Sequence, residues 1–151
     1  MPEIISNTSC LIVLDNIGKI NILKELYGQI FITEEVYNEF GKNIENWITV
    51  CSVKNKNYVN ILNANIDLGE ASTIALSLEI DNSTVILDDL KARRIAQKLN
   101  IKLTGTIGVL LKAKEKNIID SLSLVIDEMK NKKFRISPEI EKTIKKLANE
   151  V

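Results

Sequence analysis

Short β-branched runs alternate with amphipathic stretches along most of this chain, a pattern that predicts strands interleaved with helices. Ile4-Ile5 forms the first strand, and Asn7-Thr8-Ser9 offers capping side chains to a helix over Cys10–Leu14. A second helical segment covers Ile20–Leu26 and ends near Gly28. Gln29–Ile32 reads as a strand, and Thr33 as the N-cap of a helix over Glu34–Phe40 that stops at Gly41. Trp47–Val53 alternates and is rich in β-branched residues, as a strand or an extended segment does. Asn55–Asn65 is polar around Tyr58-Val59 and Ile61-Leu62, a spacing that suits a short helix.

The second half is clearer. Asp67 opens a helix whose Ala71, Ile74, Ala75 and Leu78 fall on one face, at helical spacing. Thr84–Leu87 is a buried strand. The helix after it turns Ala92, Ile95, Ala96 and Leu99 to the core and Lys91, Arg94 and Lys98 elsewhere. Ile101–Leu103 is a short strand leading through Thr104-Gly105-Thr106 to a helix over Ile107–Lys116. Further helices are expected over Ile118–Met129 and Pro138–Ala148, joined by the basic connection Lys130–Arg135. Such an order predicts the α/β class, a three-layer α/β/α sandwich around a mostly parallel central sheet. A single domain over 1–151 is expected, with a helical extension from about residue 118.

Composition narrows the chemistry. The chain has no histidine, which removes Ser-His-Asp, Cys-His and imidazole-base mechanisms together. Cys10 and Cys51 stand far apart with no histidine to complete a zinc set, so both are read as buried thiols. Any hydrolysis then needs a carboxylate base or a metal-bound hydroxide. No signal peptide opens the sequence and no apolar run is long enough for a membrane span, which makes the cytoplasm the expected location. Zero net charge hides an asymmetry: residues 1–90 carry five Lys/Arg against thirteen Asp/Glu, and residues 91–151 carry fifteen against seven. Two solvated faces explain this simply, and a polyanion held beside shielded acids explains it as well.

Three segments concentrate the candidate chemistry: Ile5–Ser9, Asp67–Ala71 and Val85–Leu90. In an open parallel sheet, residues just past the strands' carboxyl ends converge on one crevice. Carboxylates gathered there repel one another, and Mg²⁺ or Mn²⁺ relieves them. Each segment also has a plainer reading. Asp67 and Glu70 fit a capping box, and Asn7-Thr8-Ser9 a capping turn. Asp88-Asp89 can cap the helix that follows, although one Asp would suffice. Glu39 lies near the carboxyl end of its helix, where the helix dipole disfavours an anion by about 0.3–1 kcal/mol. Glu34 and Glu35 suit the first turn and need no further role. Thr104-Gly105-Thr106 and Gly108 can present backbone N–H groups to a phosphate, or simply turn the chain. Taken together, the acids favour a metal site with at least one carboxyl pKa raised by its neighbours.

Ile-Ser-Asn-Thr-Ser at 5–9, Ile-Thr-Glu-Glu-Val-Tyr-Asn-Glu-Phe at 32–40, Gly-Glu-Ala at 69–71 and Leu-Asp-Asp-Leu-Lys-Ala-Arg-Arg at 87–94 resemble a PIN domain. Thr-Gly-Thr-Ile-Gly-Val-Leu at 104–110 continues the likeness, toward a prokaryotic subgroup close to VapC-like toxins. The resemblance implies an α/β/α sandwich whose acidic residues bind Mg²⁺ or Mn²⁺ and hydrolyse RNA. By position it makes Glu39, Glu70 and Asp88 or Asp89 the catalytic metal ligands. Ser9 becomes the hydroxyl that orients the first acid, with Thr106 in support. Asn7 takes the place of that first acid. It brings an amide oxygen and no charge, and so weakens metal binding.

The resulting expectation is a metal-dependent endoribonuclease of toxin type, with Lys91, Arg93 and Arg94 holding flanking phosphates. The alternatives are a non-catalytic module of the same fold that binds nucleic acid or protein, and, more remotely, a receiver-like signalling domain. The resemblance also implies a homodimer and a small antitoxin partner. Ile20–Leu26 and Ile61-Leu62 are the aliphatic surface expected to serve such contacts.

Overall fold

The computed structural model describes residues 2–134 and 136–150, so that Arg135, the end of the basic connection, lies outside the described residues. The elements run β1 (Glu3–Ser6), α1 (Thr8–Asn16), α2 (Asn21–Tyr27), β2 (Ile30–Thr33), α3 (Glu34–Phe40), β3 (Ile48–Cys51) and α4 (Lys56–Asn63). They continue with α5 (Leu68–Ser77), β4 (Ser83–Ile86), α6 (Leu90–Lys98), β5 (Lys102–Thr104), α7 (Thr106–Glu115), α8 (Leu122–Asn131) and α9 (Pro138–Leu147).

The five strands form one all-parallel sheet in the order β3-β2-β1-β4-β5. Because side chains alternate across a strand, one run of apolar residues feeds both faces. Ile4, Ile30, Ile32 and Ile86 enter one core with helices α1, α2, α7, α8 and α9. Ile5, Val85 and Leu87 enter the other, with α4, α5 and α6. These are the three layers of an α/β/α sandwich. Ile144 of α9 and Ala148 beside it share the first core with Ile126 and Met129 of α8.

Local chemistry sets the ends of the helices. The Thr33 hydroxyl accepts the Val36 N–H, and Gly41 closes α3 in the left-handed conformation with φ 69°. Two expectations shift. The helix expected from Ile118 starts at Leu122, because Asn117 turns left-handed at φ 61° and Ser121 supplies the cap to Leu124. The aliphatic residues of α2 are not surface: Ile22, Leu23 and Leu26 are core, whereas Ile61 on α4 stays 67% exposed. The chain's far end is tied down by Glu150. Burial would raise its pKa, but N–H groups of Ser123 and Leu122 and the Ser121 hydroxyl outweigh that and hold it at about 2.

The strand order reverses beside β1, which pairs with both β2 and β4. Such a switch point opens a crevice at the carboxyl ends of the strands. Ser6 pairs with Ile86 and Ile86 with Thr104, so Asn7, Leu87 and Gly105 follow at one height. No helix among the described residues is long and apolar enough to cross a membrane.

Candidate active site

Asn7 is the first residue past the central strand, and it is fully buried. Its backbone N–H reaches the Ile86 carbonyl at 3.2 Å, which joins the mouth of β1 to that of β4. Its side-chain Oδ1 accepts the Cys10 N–H at 3.1 Å and caps α1. An N–H can be met only by the oxygen of the amide, so the nitrogen must occupy the other side. That Nδ2 is buried with no partner among the described residues. The oxygen that the sequence offers as a ligand is therefore already engaged in capping α1, with one lone pair left.

Next along the chain, the Thr8 hydroxyl donates to Glu39 Oε1 at 2.5 Å. Ser9, expected as the orienting hydroxyl, is exposed, and Thr8 is the one that meets a carboxylate. Gly69, at the start of α5, completes this corner. A Cβ added there would collide with Glu39 Oε1 and come within 2.9 Å of Thr8 Oγ1. Glycine is required here by close approach. Gly69→Ala is expected to displace the flexible Glu39 carboxylate without unfolding the chain, since alanine favours a helix by about 1 kcal/mol over glycine. Thermal melting should be unchanged or raised, while activity falls about tenfold; equal activity would separate Glu39 from the site.

Glu70 follows, and it is only 8% exposed. Burial raises its pKa, and the charges of Asp89, Asp67, Asp88 and Glu39, in that order, raise it further, to about 7. Five acidic residues thus share one electrostatic neighbourhood. The capping box expected for Asp67 and Glu70 is not what holds them: Asp67 stands at the N-cap position but makes no side-chain cap bond. Asp67 belongs with the acids, which the sequence reading missed because capping explained it so well.

The two adjacent aspartates have different surroundings. Asp88 is clamped by Thr106, whose N–H donates to Oδ1 at 2.7 Å and whose hydroxyl donates to Oδ2 at 2.6 Å. Asp89 caps α6 through Oδ2, which accepts the Ala92 N–H at 3.0 Å. Arg93 turns inward, with Nη1 donating to the Leu87 carbonyl at 2.8 Å, whereas Lys91 and Arg94 are exposed. A Cβ on Gly105 would sit 2.8 Å from Arg93 Nη1 and 2.9 Å from Asp88 Oδ1, so this glycine also makes room for site groups. Cys10 lies beneath. Burial, and then the Asp88 charge, push its thiol to about 12, which keeps it neutral and unreactive. Cys51 is only partly buried.

Oxygen-only donors without histidine or thiolate suit a hard divalent cation, and the raised Glu70 pKa marks negative charge that such a cation would relieve. Glu39, Glu70 and the aspartate pair carry donors of that kind, and Asn7 brings an uncharged amide. Even so, among the described residues no three acidic, histidine or cysteine side chains close around a common point for a metal ion. Against known proteins, a family model described as a PIN domain matches residues 3–150. No curated protein and no solved structure gives a significant match.

Proposed function

Because the chain belongs to the PIN-domain family, we propose that it is a Mg²⁺- or Mn²⁺-dependent endoribonuclease acting through the crevice beside β1. The observation that carries this reading is Glu70, buried at the strand ends with its pKa lifted to about 7 by burial and four neighbouring acids. A protein tolerates such crowding where function needs it. Glu39, Glu70 and Asp88 or Asp89 would hold the cation. When bound, it supplies a polarised water and neutralises charge on the phosphodiester.

The chain's own groups do the rest. Thr8 fixes the direction of Glu39, and Thr106 holds the Asp88 side chain between two donors. Lys91 and Arg94, exposed just beyond the acids, can take flanking phosphates as positioning contacts. Arg93 serves the site differently, by tying α6 to the end of β4. The toxin assignment, a cytoplasmic setting, a homodimer and a small antitoxin are part of the same proposal. Of the aliphatic segments expected to serve such contacts, Ile61 is exposed, and Leu90, Leu124 and Leu147 are comparably exposed elsewhere.

A second reading, a binding module without catalysis, is favoured by the Asn7 donor at the mouth of the central strand. One assay separates them. Purified protein is incubated with a single-stranded oligoribonucleotide in Mn²⁺ or in EDTA, beside the Asn7→Asp variant. Cleavage in Mn²⁺ alone, increased by about tenfold in Asn7→Asp, is expected, a gain of about 1.4 kcal/mol. Absence of cleavage by both proteins would leave the binding module in front.

A further inference from the structure

We infer that α6 is the track along which single-stranded RNA runs away from the acidic crevice. Leu90 lies under one base or ribose, and Lys91, Arg94 and Lys98 hold successive phosphates. The track rests on the proposed RNA substrate, and neither on its cleavage nor on a bound cation.

Two independent observations support it. The first is a row of cations without partners. α6 reads Leu-Lys-Ala-Arg-Arg-Ile-Ala-Gln-Lys and carries no acid. Ala92 and Ala96 enter the core, so the rest of the helix faces outward. Lys91, Arg94 and Lys98 are all exposed, at i, i+3 and i+7. Among the described residues none of the three makes an ion pair, whereas cations elsewhere are spent. Lys56 pairs with Glu34 and Glu35, Lys114 with Glu150, and Lys130 and Lys145 with Glu141. Successive members of the row rise by about 4.5 and 6 Å along the helix, steps that suit the phosphates of an extended strand. The helix dipole accounts for Lys98 in the last turn, but it disfavours a cation in the first, where Lys91 stands. A bound phosphate would offset that charge.

The second observation is Leu90. It is the first residue of α6, directly after Asp89, and it is 68% exposed. It belongs to neither core. Its apolar surface lies beside the phosphate row, the pairing of contacts that single strands use, because their bases are unstacked and open. A duplex presents phosphates and hides its base faces, so it would engage the cations without Leu90.

The test is fluorescence anisotropy of a labelled, unstructured oligoribonucleotide in EDTA, titrated with protein at several salt concentrations. Wild type is compared with Leu90→Ala, with the pair Arg94→Gln and Lys98→Gln, and with the pair Lys142→Gln and Lys146→Gln on α9. The last pair removes the same charge from exposed positions in the opposite helix layer. Alanine and glutamine are good helix formers, and melting verifies that every variant is folded. The α6 pair is expected to bind about tenfold more weakly and to lower the salt slope by about 1.4, since each phosphate contact of a single strand contributes about 0.7. Leu90→Ala should bind about threefold more weakly with the slope unchanged, and the α9 pair should match wild type. Equal losses from the α6 and α9 pairs, or an α6 pair with an unchanged slope, overturn the inference. So does a wild type that fails to bind the strand, which leaves α6 to an acidic protein partner. Leu90→Ala equal to wild type, or a duplex of the same sequence bound more tightly than the single strand, overturns the single-stranded track. Binding that depends on α6 without cleavage in Mn²⁺ removes only the nuclease activity. Cleavage by a wild type whose binding ignores α6 removes only the track.

Discussion

Glu70→Gln is expected to make the protein more stable in metal-free buffer at neutral pH and to abolish RNA cleavage. Both effects follow from one cause. Glu70 is buried and neighboured by four other acids, and its pKa of about 7 records how poorly the ionised form is accommodated. One pK unit is worth about 1.4 kcal/mol, so the rise from the ordinary value of 4.5 sets a ceiling of about 3 kcal/mol. The folded pKa is raised above the unfolded one. The contribution of Glu70 to wild-type stability should therefore be fully present below pH 4.5 and be lost as pH rises from there through about 7. Glutamine keeps the shape and carries no charge, so the variant should show no such slope. Cleavage should fall by roughly 10²–10³, the usual cost of removing one electrostatic group from a preorganised site. Urea denaturation across that pH range in EDTA, together with a cleavage assay in Mn²⁺, measures both. A variant less stable than wild type throughout the range would mean that Glu70 supports the fold rather than straining it.

The sandwich is legible in the sequence because its physics is local. Ile4-Ile5, Ile30–Ile32 and Val85–Leu87 are apolar at every position, as strands buried on both faces must be. Caps and glycines mark the helices between them, and Thr33 and Gly41 bracket α3 where their chemistry predicts. The start of α8 is less legible. Ile118 and Ile119 continue a helical pattern, but they belong to the turn after a left-handed Asn117, and one of them is core. Apolar spacing reports burial; it does not report where a helix begins.

At the candidate site, the acids were legible as types in order, and their partners were not. Whether Thr8 or Ser9 meets an acid depends on the rotation of α1, which residues so close in sequence leave open. Gly69 reads as an ordinary helix-opening glycine until Glu39, thirty positions earlier, is placed against it. Arg93 and Arg94 are equivalent in composition, and only the path of α6 turns one inward to the Leu87 carbonyl. Asn7 carried a clear warning in the sequence, the loss of a charge. Its larger consequence, an amide whose oxygen caps α1 and whose nitrogen is buried without a partner, required the Cys10 bond to be seen.

Which of the two adjacent aspartates serves the site is expected to be settled by a pair of amide substitutions that leave the fold intact. Asp89→Asn keeps an oxygen for the Ala92 N–H, and asparagine caps a helix about as well as aspartate. Asp88→Asn can keep two bonds to Thr106, because the hydroxyl can turn to accept from the new amide while Oδ1 keeps the backbone N–H. Each variant thus loses charge and little else, with a stability change of about 1 kcal/mol or less from the helix N-termini they face. Their expected activities differ. Asp88 has both oxygens engaged, whereas Asp89 has Oδ1 to spare and heads the charges that raise the Glu70 pKa. Asp89→Asn should therefore lose RNA cleavage by roughly 10²–10³, and Asp88→Asn by about tenfold, through the loss of one nearby negative charge. Melting temperatures of both variants should stay close to wild type. The reverse order of losses would move the ligand to Asp88 and require Thr106 to release it when the site is loaded.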